Sequence, residues 1–378
     1  MKKLIALMLA MALAFSLVAC GGGDTSGDQD GDASGDGTYE YALVTDYGSI
    51  DDRSFNQHSW EGLEKYCKEA GKTYKYYRPT EQSNDGYITS IETAIANGAK
   101  YVVCPGFSFE VPVYEMQEKY PDVKFIILDA APAKDGDVKT ADNTYSIVFA
   151  EEQAGFLAGY AAVKDGYRKL GFMGGMAVPA VIRFGYGYAQ GAEYAAKELG
   201  LDKNAIEIMF AYAGGFQPTP DIQAKAAAWY NSGTEIVFSC GGQIINSVAA
   251  AAEASDEDKW VIGVDGDQSG ESDTVVTSAM KMLEAGVYNA LKADSEGNFP
   301  GGTAATLGAA EDAVGMPMDT ARFKTFSQED YDAIYKSLKE DTDNLASGLI
   351  KDVDENGEAV TIKALNEALE YVTVKDAN

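Results

Sequence analysis

The sequence predicts an α/β protein built as two doubly wound parallel-sheet lobes, and three observations carry that prediction. From Tyr41 onward, short β-branched or aromatic runs alternate with longer apolar-periodic segments, the pattern of a parallel sheet wrapped by helices. One such series breaks near Asn143 and a second begins near Lys169. About 340 of the 378 residues lie beyond the leader described below, more than a single core usually serves.

In the first series, strands are expected at 41–45, 73–77, 101–104, 124–128 and 146–149, with helical periodicity at 59–70 and 86–97. In the second they are expected at 170–173, 207–211, 236–239, 260–264 and 274–277, with helices at 151–163, 186–199, 220–231 and 246–254. Gly185-x-Gly187-x-x-x-Gly191 has the wrong spacing for a dinucleotide fingerprint and reads as a close-packing device. Beyond residue 295 the pattern loosens, with Gly301-Gly302 as a loop and 328–339 as a helix. Asp352-x-Asp354-x-Asn356-Gly357 mimics a calcium loop, but its twelfth position is Lys363, where a bidentate Glu is required. A hairpin turn at Asn356-Gly357, between Leu349-Ile350 and Val360-Thr361-Ile362, is the expectation instead.

The amino terminus runs Lys2-Lys3, an apolar stretch over 4–17, then Leu17-Val18-Ala19-Cys20. Residues 1–19 read as a signal peptide, and the junction resembles a bacterial lipobox, which implies a diacylglycerol on Cys20 and an anchor at the extracytoplasmic face of the cell membrane. Residues 20–38, rich in Gly, Asp and Ser, have too little apolar surface to offset the entropy of ordering them and read as a tether. A net charge of −29 excludes nucleic acid and anionic membrane surfaces as partners. Cys67, Cys104 and Cys240 are odd in number and widely spaced, so neither a disulfide framework nor a zinc site is expected, and no metal or other cofactor.

In open α/β sheets ligands bind beyond the carboxyl ends of strands. Asp46, Asp129 and Asp265 stand directly after three expected strands, and Gly241-Gly242 after a fourth. Each Asp either caps the next helix or presents two acceptor oxygens to a ligand. Phe55 lies in the polar loop after the first strand, and Phe216, in Ala213-Gly214-Gly215-Phe216, occupies a matching loop of the second series. Each ring alone would fit a core plug; from opposing lobes the two could clamp a flat heteroaromatic ring.

Ser54-Phe55-Asn56-Gln57 with Trp60-Glu61-Gly62, Glu152-Gln153-Ala154-Gly155-Phe156-Leu157-Ala158-Gly159, and Gly171-Phe172-Met173-Gly174-Gly175-Met176 together resemble the basic membrane protein family. So do Gly263-Val264-Asp265-Gly266-Asp267-Gln268 and Thr277-Ser278-Ala279-Met280-Lys281. The resemblance covers about residues 40 to 295, with Cys240 and His58 as departures. It implies a type I periplasmic-binding-protein fold with a three-strand hinge, and a purine-nucleoside-binding lipoprotein serving an ABC-type importer permease. It further implies that Phe55 and Phe216 sandwich the purine, Asp129 meets the base edge, Asp265 and Lys281 hold the ribose hydroxyls, and Asp46, Asn56 and Gly242 complete the pocket. On that basis residues 39–145 with 268–300 are expected to form the first lobe, and 146–267 with 301–378 the second.

Catalytic chemistry is hard to find. His58 is the only histidine, expected to face solvent at a helix start, and there is no phosphate loop or nucleophile elbow. No catalytic residue is assigned and an enzyme is not expected. Two other functions fit the same residues: a receptor for another small ligand such as a furanosyl autoinducer, and a nucleoside hydrolase.

Overall fold

The computed structural model describes residues 37–378. The expected signal peptide, Cys20 and nearly all of the tether lie outside them. The chain opens with β1 (Tyr41–Val44), α1 (Phe55–Ala70), β2 (Tyr74–Tyr77), α2 (Asn84–Ala96), β3 (Tyr101–Pro105), α3 (Glu110–Lys119) and β4 (Lys124–Leu128). A small hairpin, β5 (Ala133–Lys134) and β6 (Asp137–Val138), precedes β7 (Thr144–Phe149). A second series follows: α4 (Glu151–Lys164), β8 (Lys169–Gly174), α5 (Pro179–Glu198), β9 (Ile206–Tyr212), α6 (Pro220–Asn231), β10 (Ile236–Cys240), α7 (Ile244–Glu253), β11 (Trp260–Asp265) and β12 (Val275–Lys281). The remainder is α8 (Leu283–Ser295), β13 (Thr303–Leu307), β14 (Val314–Gly315), α9 (Gln328–Lys339), α10 (Ile362–Ala368) and β15 (Val372–Asp376).

Two sheets result. The first has the order β13-β7-β4-β3-β1-β2, all parallel; the second runs β14-β12-β11-β10-β8-β9-β15, parallel except for β14. Inner strands such as β1 and β10 are buried along their whole length, because helices cover both faces of a parallel sheet. Local sequence fixes several helix starts. Thr219 accepts from Ile222 N ahead of Pro220, Ser83 accepts from Gly86 N, and Ser327 forms a capping box with Asp330.

The chain passes between lobes at Ala150, Met282 and Gly308. Ala150 (φ −84°, ψ 70°) and Met282 (φ −82°, ψ 60°) make almost the same bend, close to an inverse γ-turn, each directly before a helix. This corrects the expected lobe boundaries. Residues 275–281 do not return to the first lobe, since β12 pairs with β11 in the second sheet; only after Met282 does the chain go back, to pack α8 on α1. Residues 303–307 in turn belong to the first sheet, where β13 pairs with β7. That strand reads Thr-Ala-Ala-Thr-Leu and is half exposed at a sheet edge, so its sequence carries little apolar signal. The 349–362 hairpin is reduced to one bridge, Val353 to Ala359, because residues from Ile362 form α10 under a Thr361 cap. No cluster of metal-ligating side chains occurs among the described residues.

Helices α4 and α5 pack backbone to backbone. A Cβ at Gly155 or Gly159 would stand 2.1 or 1.9 Å from the carbonyl oxygen of Phe184 or Tyr188, and at Gly187 or Gly191, 2.0 or 1.9 Å from that of Glu152 or Phe156. Glycine is therefore required in both helices at this crossing, which fixes residues 152–159 of α4 against the middle of α5, residues 184–191.

Candidate functional site

The carboxyl ends of β1, β3 and β4 face those of β8, β10, β11 and β12 across a cleft of about 740 Å³, counting its open mouth. Two of its acids share an unusual backbone. Asp129, just past β4, and Asp265, ending β11, have φ of 58° and 66°, a left-handed conformation that costs most side chains about 1 kcal/mol or more and that Asp tolerates better than most. Strain of this kind gathers at functional sites.

Lys281, at the end of β12 and 2 % exposed, lies between these acids. Its Nζ contacts Asp129 Oδ2, stands 3.3 Å from Asp265 Oδ1 and is 3.8 Å from Glu151 Oε1. Asp265 Oδ2 accepts from Ser54 Oγ at 2.6 Å, whereas Asp129 Oδ1 is buried with no hydrogen-bond partner among the described residues. Burial opposes the Lys281 charge, yet Asp129, then Asp265 and Glu151, hold its pKa above the usual lysine range. Burial pushes the Asp129 carboxyl upward; Lys281 opposes that shift, while Glu151 and Asp265 add to it.

Phe55, the first residue of α1, and Phe216, in the loop after β9, come from opposite lobes and line this one cleft. Phe216 lies against Gly175, where a Cβ would meet ring carbon Cδ1 at 2.3 Å, so the second glycine of Gly174-Gly175 is a seat for the ring. Phe55 packs over Gly106, and Lys281 Nζ is 4.7 Å from its centroid, a cation–π contact that joins the aromatic wall to the ion cluster. At Gly242 (φ 57°) a Cβ would meet nothing closer than Ser54, 4.0 Å away, so this residue offers the cleft its bare backbone.

Asp46 also lines the cleft, but apart from the Lys281 cluster. Its Oδ1 accepts from Asn56 Nδ2 at 2.8 Å and from Gly48 N at 2.6 Å, and burial raises its pKa. Asn56, expected to touch ligand, is placed by the structure behind Asp46. It is 2 % exposed, its amide hydrogens go to Asp46 and Asp52, and its Oδ1 accepts from Asp46 N. The cavity thus brings together Asp46, Phe55, Asp129, Phe216, Gly242, Asp265 and Lys281, without Asn56.

His58 differs from expectation too. Instead of facing solvent, its Nε2 is buried against Gly266 of the other lobe with no hydrogen-bond partner among the described residues, and Nδ1 lies 2.8 Å from Glu61 Oε2. Further cross-lobe contacts, Arg53 to Glu271 at 2.8 Å and Ser54 to Asp265, hold the lobes closed on the cleft.

Several lining residues escaped the sequence reading: Ser108, Phe184, Cys240 and the 178–181 segment. So did Glu151, fully buried and bonded through Oε2 to Arg183 Nε at 2.7 Å. The signal for Glu151 was available, since Glu151-Glu152 opens a helix directly after a strand, where a buried acid needs a partner.

Residues 40–348 match the family described as ABC transporter substrate-binding protein, PnrA-like. The chain is 32 % identical to the ABC transporter nucleoside-binding protein BmpA of Lactococcus lactis subsp. cremoris, over 85 % of this chain and 93 % of that one. It is 27 % identical to a lipoprotein of Pyrococcus abyssi, over 83 % and 77 % respectively. Its fold matches the crystal structure of an ABC transporter system solute-binding protein from Aeropyrum pernix with a TM-score of 0.68 at 23 % identity, covering 84 % of this chain and 94 % of that one.

Proposed function

This chain belongs to the PnrA-like family of ABC transporter substrate-binding proteins, and from that premise we propose that it captures a purine nucleoside between its lobes and presents it to an importer permease. One observation carries the reading: two phenyl rings from opposite lobes line the cleft in which Lys281 is held among three carboxylates. The rings take the faces of the base, each stacked pair contributing about 0.5–1.5 kcal/mol beyond area burial. Asp129 and Asp265 accept from the ribose hydroxyls and Lys281 donates to them. Because Asp129 shares Lys281 with Asp265, we place it at the sugar end rather than at the base edge that the resemblance implies. Asp46, set apart and with Oδ1 held by Asn56 and Gly48, is the group for the base edge.

Contacts made from both lobes favour the closed form, and closure is the signal the permease reads. The chain is not an enzyme on this reading, and it is held at the extracytoplasmic membrane face by lipid on Cys20; Cys20→Ala should abolish labelling by fatty acid. No helix among the described residues is long and apolar enough to cross a membrane.

Calorimetry with guanosine, inosine and adenosine tests the ligand. Binding at micromolar concentration, with each nucleoside recovered intact, is the expected result. No heat with any of the three would overturn it, and release of free base would favour hydrolysis.

A further inference from the structure

The family match ends at residue 348, yet the segment just beyond it is clasped to one face of α5. Tyr186 Oη donates to Val360 O at 2.7 Å, and Gln190 bonds Ile350 twice, accepting from its N–H at 2.8 Å and donating to its carbonyl at 3.0 Å. One turn earlier on that face, Arg183 Nη1 reaches Asp352 Oδ1 at 3.3 Å. The spacing 183, 186, 190 is that of a single helical stripe.

Arg183 continues inward. Its Nε lies 2.7 Å from Glu151 Oε2, and Glu151 Oε1 faces Lys281 Nζ at 3.8 Å. A line of alternating charges, Asp352, Arg183, Glu151 and Lys281, therefore runs from the tail to the cleft, and every side chain in it is 14 % exposed or less. Glu151 follows the first lobe crossing and Lys281 precedes the second. In so buried a setting a charge is oriented by its neighbours rather than by water, and removing one end shifts the rest.

We propose that Asp352 is a positioning residue for the ligand site: through Arg183 and Glu151 it sets where the Lys281 ammonium stands relative to Asp129 and Asp265. The carboxyl-terminal segment is then part of the binding apparatus. The neighbouring pair, Lys351 to Glu152 at 3.4 Å, is its internal control, since it ties the same segment to the same helix end without entering the line to Lys281.

The test combines a ligand-free and a ligand-bound measurement; only the second rests on the nucleoside reading. In protein labelled with ¹⁵N at lysine Nζ, Asp352→Asn should move the Lys281 ammonium resonance, Asp352→Glu should restore it, and Lys351→Gln should leave it in place. In calorimetry, Asp352→Asn should bind guanosine about fivefold more weakly, with affinity for 2′,3′-dideoxyguanosine, which lacks the 2′ and 3′ hydroxyls, unchanged. An unmoved resonance in a folded Asp352→Asn protein overturns the inference, as does an equal loss for both nucleosides. A moved resonance in a protein whose wild type ignores guanosine upholds the positioning role and sinks the nucleoside reading instead.

Discussion

Asp129 and Asp265 sit at matching places in the two lobes, each at the end of an inner strand and each in the left-handed conformation, but their oxygens are committed differently. Asp265 uses both, one toward Lys281 and one on Ser54 across the cleft. Asp129 uses one and leaves Oδ1 buried without a partner among the described residues. An unsatisfied buried acceptor costs about 1–3 kcal/mol. Both acids therefore bridge the lobes, Asp265 as a latch on Ser54 and Asp129 through Lys281, but only Asp129 keeps an oxygen that an incoming hydroxyl would satisfy.

The largest effect expected from breaking this pair is removal of the cation they share. Lys281→Met would leave three buried carboxylates without it and should cost about 3–5 kcal/mol of stability, read from denaturant unfolding, with nucleoside binding lost. Next come the rings. Phe55→Ala or Phe216→Ala should each weaken guanosine binding by about 2 kcal/mol or more, from lost stacking and lost apolar burial; a ligand indifferent to both changes would not be a purine. Asp129→Asn, measured against Asp265→Asn, separates the two acids: the first should cost about 1.5–3 kcal/mol of ligand affinity, since it forfeits a charge-assisted bond, and leaves the Ser54 latch in place.

The same asymmetry sets a pH dependence. Burial raises the Asp129 pKa in the free protein, and a hydroxyl donating to Oδ1 favours the ionised form, so binding lowers it. Binding then releases protons, and affinity should rise as pH increases through the raised Asp129 value. Calorimetry in buffers of different ionisation enthalpy counts those protons, and Asp129→Asn should flatten the profile. The smallest effect belongs to the latch. Ser54→Ala removes one hydrogen bond between the lobes, worth about 1 kcal/mol, and should shift the ligand-free protein toward an open shape in small-angle scattering. An unchanged profile would show that the Arg53–Glu271 and Asp129–Lys281 pairs hold the lobes without Ser54.

The sites themselves differed in how visible they were beforehand. Asp46, Asp129 and Asp265 could be found because a polar residue at the end of an apolar run stands out, and strand ends are where such sheets bind. Phe55 and Phe216 could be paired because each follows a strand and stands at or just before the next helix. Asn56 misled, because adjacency in sequence says nothing about whether an amide faces the cleft or the carboxylate behind it. Ser108, Phe184 and Arg183 had no local mark at all: a Phe in an apolar helix reads as core, and an Arg on a helix reads as surface until a buried Glu151 is found opposite.

By itself the sequence determined the two β/α series, the residue types at the strand ends and the glycines that let α4 and α5 touch, because hydrophobic period, turn chemistry and side-chain volume act over a few neighbouring residues. Which lobe owns β12 and β13, which oxygens meet Lys281, and that the tail reaches the cleft through Arg183 were decided only in three dimensions. Pairing of distant strands and burial of opposite charges depend on what the rest of the chain places beside them, and no window of sequence contains that information.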